Sequence, residues 1–588
     1  MGTRFRLVPC PARGSVLTLM ALTIGSLPLL AQSHSASRSP VGEDAPGPLP
    51  GAGRVLLGPI PNVNASCIEV EHDPGRGLLW YATEAVGAGL VGANPEDLSV
   101  LVQIPTGALD CNGDMVPDVT GAFTGLTAIC PEAPGPSARL LGTDFNGDLS
   151  RFDDSCFLID PLLPPSGGPY PMQGSARLLS VWYLDSASCP SSCRPNTNAD
   201  SPQNRIDQAL AVSASNVTLG PGGNTGDLFV AGNLSTVLHR VSLSTGCPGS
   251  WRLLQTVTSP IGGTGVSGMS FDPELQSYWM TDYGRHQIYE ATWDRVAGSF
   301  SLIQAFPRPA TAASTAGVTA LTGIAREDPA DPRNLPIHAL VLSNVNDHVS
   351  HVVASGHPVG GLLADCGVSQ SGGTDFLDLS LAEDPRVAGL IYLAGFSMTD
   401  AAGIPVDCHR SLAIDPGVLL IQSLSQPKVF RDFVGAWTVA GTTRLSVALP
   451  SGAGMVFPLK LGFLTLGLPA THQAGVAAVS QPGAVTWQTG PGGGLAVTVS
   501  GPRSLRRGGP GLTGGSAALR VAGAPRGGVL SAVVAGPGTA TVLGPTDGTP
   551  STLRLAATGG PGPLELLVTY QVSGESVTAR HLVRLSSY

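Results

Sequence analysis

Apolar positions along this chain come in short runs rather than at helical spacing. The stretch from Gly268 to Asp294, GMSFDPELQSYWMTDYGRHQIYEATWD, sets the pattern. A short strand at Met269 to Phe271 leads into an Asp272-Pro273 turn and a continuous apolar strand at Tyr278 to Thr281. A second turn around Asp282 to Gly284 is followed by a strand at Gln287 to Thr292. Runs of this length bounded by Asp, Pro and Gly predict strands, and none is long enough for a helix. One such hairpin cannot bury its own apolar face, so the pattern predicts stacking on copies of itself.

The copies are present. Cys67 to Glu84 repeats the alternating strand, the Asp73-Pro74 turn and an apolar strand at Leu78 to Thr83. Gly125 to Asp153 keeps Leu126 and Ile129, puts Pro131 to Pro136 in place of the turn, and carries an Asn146-Gly147 pair suited to a tight hairpin. Asp227 to Leu243 is the third copy and the opening stretch the fourth. The fifth runs from Gly323 through Asp328-Pro329 to Val353. Each apolar strand ends on an acid or amide: Glu84, Asp144, Asn233, Asp282 and Asn344. The gap between Asp144 and Asn233 leaves room for another copy at Ala176 to Leu184, and Asp384-Pro385 to Ala394 is a further candidate.

Repeated hairpins with no helix between them predict an all-β chain with a β-propeller over residues 56–360. The order of glycine, alternating strand, Asp-Pro, and apolar strand ending in Thr-Asp resembles the NHL/YVTN class of extracellular bacterial propellers, from about Asn64 to Ser355. The resemblance implies a ring of five to seven blades. It also implies a structural role for the five strand-ending residues, tying hairpin turns to backbone N–H groups. That class includes both enzymes and binders, so the resemblance implies no particular activity.

Past Cys366 the spacing changes. Strands are predicted at Phe376 to Leu381, Leu390 to Phe396, Val418 to Ser423, Thr443 to Leu449 and Val456 to Leu466, forming a β-sandwich over 361–472. The run GLIYLAGFSMTDAAGIPVD resembles the small sandwich module of planctomycete-type secreted proteins, and Gly389 to Phe396 taken alone also fits a last blade. Over 473–588, alternation at Leu495-Val497-Val499, Leu530 to Val534, Leu564 to Val572 and Val577 to Leu585 predicts an immunoglobulin-like sandwich.

Composition sharpens this picture. Charged residues make up only 13% of the chain, while glycine (77) and proline (51) are abundant, as a turn-rich all-β protein requires. Arg4, Arg6 and Arg13 precede an apolar run at Val16 to Leu30 and a small-residue site at Ala31-Gln32-Ser33. These features predict a secretory signal peptide over 1–33, a disordered lead-in over 34–55, and an extracellular or cell-surface location without a membrane span. The net charge of -10, with no basic patch, speaks against a nucleic-acid partner. Cysteines in an exported chain predict disulfides, with Cys366 and Cys408 the pair expected first. Cys189 and Cys193 lack the second ligand pair that a structural zinc needs.

The sharpest local chemistry is Asp110-Cys-Asn112-Gly-Asp114-Met-Val-Pro-Asp118, with oxygen-bearing side chains at alternate positions, as a hard cation requires. The spacing resembles the short calcium loops of dockerin and thrombospondin type 3 repeats. That resemblance implies Asp110, Asn112, Asp114 and Asp118 as side-chain ligands, although the closing Glu of an EF-hand is missing. A surface turn without metal fits the same residues. Two G-x-G-x-x-G matches, at Gly87 to Gly92 and Gly263 to Gly268, open no helix and carry no dinucleotide fingerprint. Glu71 and His72 flank the first Asp-Pro turn and are expected to be exposed. His348, His351 and His357 are expected to be structural, since residues three apart on a strand face opposite sides. The chain thus reads as a non-catalytic binding or surface-interaction protein for a protein or carbohydrate ligand, with calcium in a supporting role. The alternative is a calcium-dependent propeller hydrolase or lactonase, its ion held in a central channel by Glu84, Asp144, Asn233, Asp282 and Asn344.

Overall fold

A computed structural model of the protein describes residues 46–585 except 62–66, 74–75, 84–88, 107–108, 112, 114–122, 131–138, 145–154, 164–170, 185–208, 233–235, 262–264, 283–285, 310–319, 328–335, 345–348, 400–402, 453, 503, 506–515 and 558–561. The predicted signal peptide and the predicted Asn146-Gly147 turn lie outside the described residues. All described elements belong to one unit, residues 45–588. The chain is all-β.

The first strand, β1 (Val55–Pro61), is followed by five hairpin-built sheets. The first sheet holds β2 (Cys67–Asp73), β3 (Leu78–Thr83), β4 (Leu90–Ala93) and β5 (Val100–Ile104). The second holds β6 (Gly125–Ile129), β7 (Arg139–Asp144), β8 (Ser155–Leu162) and, after the two-residue β9 (Met172–Gln173), β10 (Ser175–Tyr183). The third holds β11 (Ala209–Ser215), a small hairpin of β12 (Leu219–Gly220) and β13 (Gly223–Asn224), then β14 (Asp227–Gly232), β15 (Val237–Ser244) and β16 (Ser250–Thr258). The fourth is β17 (Val266–Asp272), β18 (Ser277–Asp282), β19 (Gln287–Asp294) and β20 (Ser299–Pro307). The fifth is β21 (Ala320–Glu327), β22 (Pro336–Asn344) and β23 (Val349–Pro358), and β1 pairs antiparallel with β23 as its fourth strand.

The first strand of each sheet packs against the first strands of two others, in the cyclic order β2, β6, β11, β17, β21 and back to β2. Apolar cores fill the spaces between successive sheets. Leu78, Trp80 and Ala82 on one face of β3 meet Leu126, Leu140 and Phe157 of the second sheet. Leu79 and Tyr81 on its other face meet Ile324, Ala339 and Val352 of the fifth. In the fourth sheet Tyr278 and Met280 face Phe229 of the third, while Trp279 faces Leu340 and Leu342 of the fifth. Strands buried on both faces have no polar side to alternate with, which is why these segments read as unbroken apolar runs. Each fully buried large side chain contributes roughly 1.5–3 kcal/mol. The segment at Ala176 to Leu184 is the outer strand β10 of the second sheet rather than a further copy.

The back of the chain packs as layers around one nine-stranded sheet. Its strands include β26 (Ile391–Ser397), β30 (Val434–Ala436), β32 (Val456–Leu466), β33 (Val476–Val479), β34 (Gly483–Gln488), β35 (Leu495–Ser500), β37 (Ser516–Ala524), β39 (Gly538–Leu543) and β40 (Ser551–Ala557). One half is covered by β24 (Leu362–Ser371), β25 (Thr374–Ala382), β29 (Phe430–Arg431) and β31 (Thr442–Pro450), around Leu377, Leu379, Phe396 and Trp437. The other half is covered by β36 (Ser504–Leu505), β38 (Val529–Ala535), β41 (Gly562–Val572) and β42 (Glu575–Leu585), around Val497, Leu553, Leu566 and Tyr570. The small pair β27 (Ile404–Pro405) and β28 (Ser411–Leu412) stands apart. The expected division at 472/473 falls between strands of this one sheet, so the two halves share a layer. Gly389 to Phe396 supplies β26 of that layer and belongs to none of the five hairpin-built sheets.

Val418 to Ser423 is not a strand: Val418–Ser425 forms the helix α1. Leu420 and Ser423, three residues apart, are its buried face, and Ser423 Oγ donates back to Leu419 O at 2.8 Å while accepting from Phe396 N–H at 3.1 Å. Gly395 on β26 makes room, since a Cβ there would collide with Leu420. A short apolar run fits strand or buried helix equally, and tertiary packing decides.

Among the described residues two disulfides are formed, Cys111–Cys247 and Cys130–Cys408, while Cys366 is a buried free thiol. The expected Cys366–Cys408 pairing is therefore corrected: Cys408 joins Cys130, next to the innermost strand β6 of the second sheet. Cys366 packs instead in the apolar core under β24. Among the described residues, no helix is long and apolar enough to cross a membrane.

Candidate functional site

The Asp-Pro turns carry the first polar structure of the site. Asp73 Oδ1 accepts from Arg76 N–H at 3.1 Å, and its Oδ2 pairs with the Arg76 guanidinium at 2.7 Å and accepts from Trp80 Nε1 at 3.3 Å. Asp272 Oδ1 accepts from the N–H groups of Glu274 and Leu275 at 2.9 and 3.0 Å. Both are Asx turns, in which a short carboxylate satisfies backbone donors that the chain reversal leaves open. Turn-tying of this kind is performed here by the aspartates that precede proline. Of the strand-ending set, Glu84 and Asn233 lie outside the described residues, and Asp144 and Asn344 are described by backbone alone. Asp282 is fully buried at the end of β18.

One oxygen of Asp272 is left to look across the ring. Its Oδ2 lies 2.5 Å from His338 Nε2 on β22. Gly323 on β21 lies beside this pair, and a Cβ there would collide with Asp272 Oδ2. Burial works to raise the Asp272 pKa, but the charge and hydrogen bond of His338, with the two turn N–H groups, outweigh it and bring it down to about 2. Burial lowers the His338 pKa, but the Asp272 carboxylate reverses this, and the net shift is upward.

Glu71 is 6% exposed, not solvated as its place beside a turn suggested. On β2 it reaches the first strands of two other sheets, where Oε1 accepts from Ala128 N–H of β6 at 3.1 Å and Oε2 accepts from Ser270 Oγ of β17 at 3.0 Å. Burial pushes its carboxyl up to about 8; the two hydrogen bonds oppose this, and the nearby Asp73 and Asp272 add to it. His72 is half-buried, and its N–H donates to Thr322 Oγ1 at 3.2 Å.

A cavity of about 570 Å³ opens beside these residues. Glu71, Asp272, Thr322 and His338 line it from the sheets, and Glu383, Asp384, Arg386, His409 and Arg410 line it from the back of the chain. Beside it lies a buried ionic network. His357 Nε2 is 2.7 Å from Glu290 Oε2 and its Nδ1 is 2.9 Å from Asp384 Oδ2, so each ring nitrogen faces a carboxylate. Arg386 bridges the same two acids, at 3.2 Å to Glu290 and 3.1 Å to Asp384, and Gln304 and Ser277 complete the Glu290 carboxylate at 2.8 Å each. For Glu290 and Asp384, burial favours the neutral acid, but His357 and Arg386 outweigh it and hold both below their ordinary values. Asp384 also caps the 3-10 turn Pro385–Val387 by accepting from Arg386 N–H at 2.8 Å. Its Asp-Pro dipeptide was legible; its histidine partner was not.

Asp272, His338 and Ser355 stand in the order of a catalytic triad, but the hydrogen bonds run differently. Ser355 Oγ lies 2.9 Å from His338 Nδ1, accepts from His357 N–H at 3.2 Å, and donates to His338 O at 3.0 Å. Ser355 is fully buried, and its Oγ is enclosed by His338 and the His357 N–H, so it is not presented to a substrate as a nucleophile must be.

Of the predicted calcium ligands, only Asp110 is described; Asn112, Asp114 and Asp118 lie outside the described residues. Asp110 Oδ1 accepts from Gly113 N–H at 2.8 Å, an arrangement common to Asx turns and to ion-binding loops. Among the described residues, the group of three ligand-bearing side chains with donor atoms within 4.8 Å of one another is Cys130, Cys408 and His409. The two cysteines of that group are bonded to each other.

No family model and no curated protein matches the chain. Among solved structures, a protein from Lactobacillus plantarum is 11% identical, covering 54% of this chain and 80% of its own, with a TM-score of 0.22. The plexin A4 extracellular region is 10% identical, covering 90% of this chain and 67% of its own, with a TM-score of 0.17. The BSP domain of a biofilm associated protein is 10% identical, covering 94% of this chain and 99% of its own, with a TM-score of 0.17. At these scores none of them bears on the fold or the function of this chain.

Proposed function

We propose that the five sheets are the blades of a closed five-bladed β-propeller of the NHL/YVTN type, followed by two β-sandwiches that share a layer, in an exported protein that works by binding a ligand. Support for the ring comes from the cyclic packing of β2, β6, β11, β17 and β21 and from β1 completing the last sheet. Two disulfides and the leader-like Arg4 to Ser33 segment support export.

The observation that carries the binding reading is the cavity of about 570 Å³ between propeller and sandwiches, a size typical of small-ligand sites. Asp272, His338, Asp384 and Arg386 in its wall are engaged with protein partners, which suits a preformed recognition surface. A thermal-shift screen of polar metabolites and oligosaccharides tests it. The reading predicts stabilisation by a ligand class, lost on filling the cavity with Ala518→Trp; no stabilising class in a broad screen refutes it. Calcium on Asp110, Asn112, Asp114 and Asp118 remains a supporting proposal, independent of the cavity.

One observation favours a hydrolase or lactonase instead. Glu71 and Asp272 line the same cavity with pKa values pushed apart, to about 8 and about 2, as an acid and base pair would have. Turnover of an ester, lactone or glycoside that disappears in both Glu71→Gln and Asp272→Asn would establish that reading and displace the first.

A further inference from the structure

Most acids in the cavity wall are answered by a neighbour, but Glu383 is answered on one side only. It is 9% exposed, and its Oε1 accepts from Asp384 N–H at 3.0 Å. Its Oε2 is buried and has no hydrogen-bond partner among the described residues. Gly360 lies so close that a Cβ there would collide with Glu383 Oε1, so the carboxyl is packed against the backbone at that position. The cation nearest in sequence, Arg386, is already bridging Asp384 and Glu290. Leaving a buried acceptor unanswered is costly, and such a group in a cavity wall calls for an explanation, for which a bound ligand is one candidate.

From this geometry we propose that the cavity takes a small organic cation, a primary ammonium group on an apolar body, with Glu383 Oε2 as the acceptor that selects it. The inference rests on the reading of the cavity as a ligand site and names the ligand class. The apolar body follows from Phe271, Leu275, Leu362, Val387 and Leu519, which line the same space. A calcium ion suits the cavity less well. It needs about six to eight oxygens, and no three carboxylates among the described residues bring oxygens within 4.8 Å of one another. An ammonium group needs one carboxylate and adjacent carbonyls. Glu383 faces Asp384 and Arg386 from its own segment and Glu274 from the turn after β17; burial and the two acids keep its carboxyl protonated up to about 8, so an entering cation displaces a proton.

Calorimetric titration of the full chain near neutral pH with n-hexylamine, n-hexanol and calcium chloride tests this. The amine is expected to bind about tenfold or more tightly than the alcohol, the worth of one charge-assisted hydrogen bond. In Glu383→Gln that preference disappears while alcohol binding is unchanged. Amine binding to the wild type also releases about one proton per site, read from the enthalpy in two buffers of different ionisation heat, which tests the idea even if the variant fails to fold. Equal binding of amine and alcohol, a preference that survives Glu383→Gln, absence of proton release, or calcium occupying the cavity in place of the amine each overturns the ligand class while leaving a binding cavity. If neither organic probe enters the cavity, the binding reading beneath it falls as well.

Discussion

Replacing Glu71 by glutamine removes a buried titratable group without removing a hydrogen bond. The amide oxygen can accept from Ala128 N–H, and the amide nitrogen can donate to Ser270 Oγ, in place of contacts now at 3.1 and 3.0 Å. The wild-type carboxyl is pushed by burial from an ordinary 4.5 to about 8. Below the lower value both folded and unfolded chains hold the proton, and Glu71 contributes no pH dependence. Between the two values the unfolded chain has released its proton and the folded chain has not, so stability falls as pH rises. The slope for one such group is about 1.4 kcal/mol per pH unit. The loss reaches about 3 kcal/mol near pH 7 and levels off at roughly 5 kcal/mol above pH 8. Urea unfolding followed by tryptophan fluorescence from about pH 5 to pH 8 gives the curves for wild type and variant. Only their difference is diagnostic, because Glu383, also raised to about 8, tilts both curves in the same direction. Glu71→Gln should gain on the wild type steadily across that window. Parallel curves would show that Glu71 is ionised in the folded ring and that the account of its burial is wrong. Glu71→Ala, by contrast, should lose about 1–3 kcal/mol for each donor it orphans.

Three other outcomes follow from the same structure. Asp272→Asn leaves His338 buried beside a neutral amide and should cost about 3–5 kcal/mol. The Asp272 share of the pair is present above 3.8 and lost as pH falls through about 2, whereas the His338 share is complete below 6.5 and lost as pH rises past its elevated folded value; a melting temperature with the same pH profile in wild type and Asp272→Asn contradicts the pairing. Non-reducing peptide mapping should recover Cys111–Cys247 and Cys130–Cys408 with Cys366 alkylated only after unfolding, and Cys130→Ser with Cys408→Ser should lower stability by about 2–5 kcal/mol. Recovery of a Cys366–Cys408 peptide would overturn this assignment. Chelation should lower the melting temperature by several degrees if Asp110 to Asp118 hold calcium, and an unchanged melting temperature together with an unaffected Asp114→Ala variant would remove that site.

What the sequence reveals and what it conceals separate along a physical line. Leu78 to Ala82 and Tyr278 to Thr281 are visible as strands because both faces of β3 and β18 are buried, and burial on both faces leaves an unbroken apolar run. The pairing of β1 with β23 leaves no such mark, since it joins Val55 to Val353, with four other sheets between them in the chain, and neither strand signals its partner locally. Helix α1 is hidden for a related reason: its apolar run is as short as a strand, and only the notch at Gly395 shows where it docks. The acids before proline show the same division within a single side chain. Asp73, Asp272 and Asp384 all use one oxygen to cap the backbone that follows, and that local task is what the Asp-Pro signature encodes. The second oxygen goes to whatever the surrounding structure presents: Arg76 for Asp73, His338 for Asp272, His357 for Asp384. Only the latter two line the cavity. A repeated turn can therefore be read from one segment, but the site needs the sheets packed on one another and the back of the chain laid against them, because only then do Glu71, His338 and Glu383 border the same space.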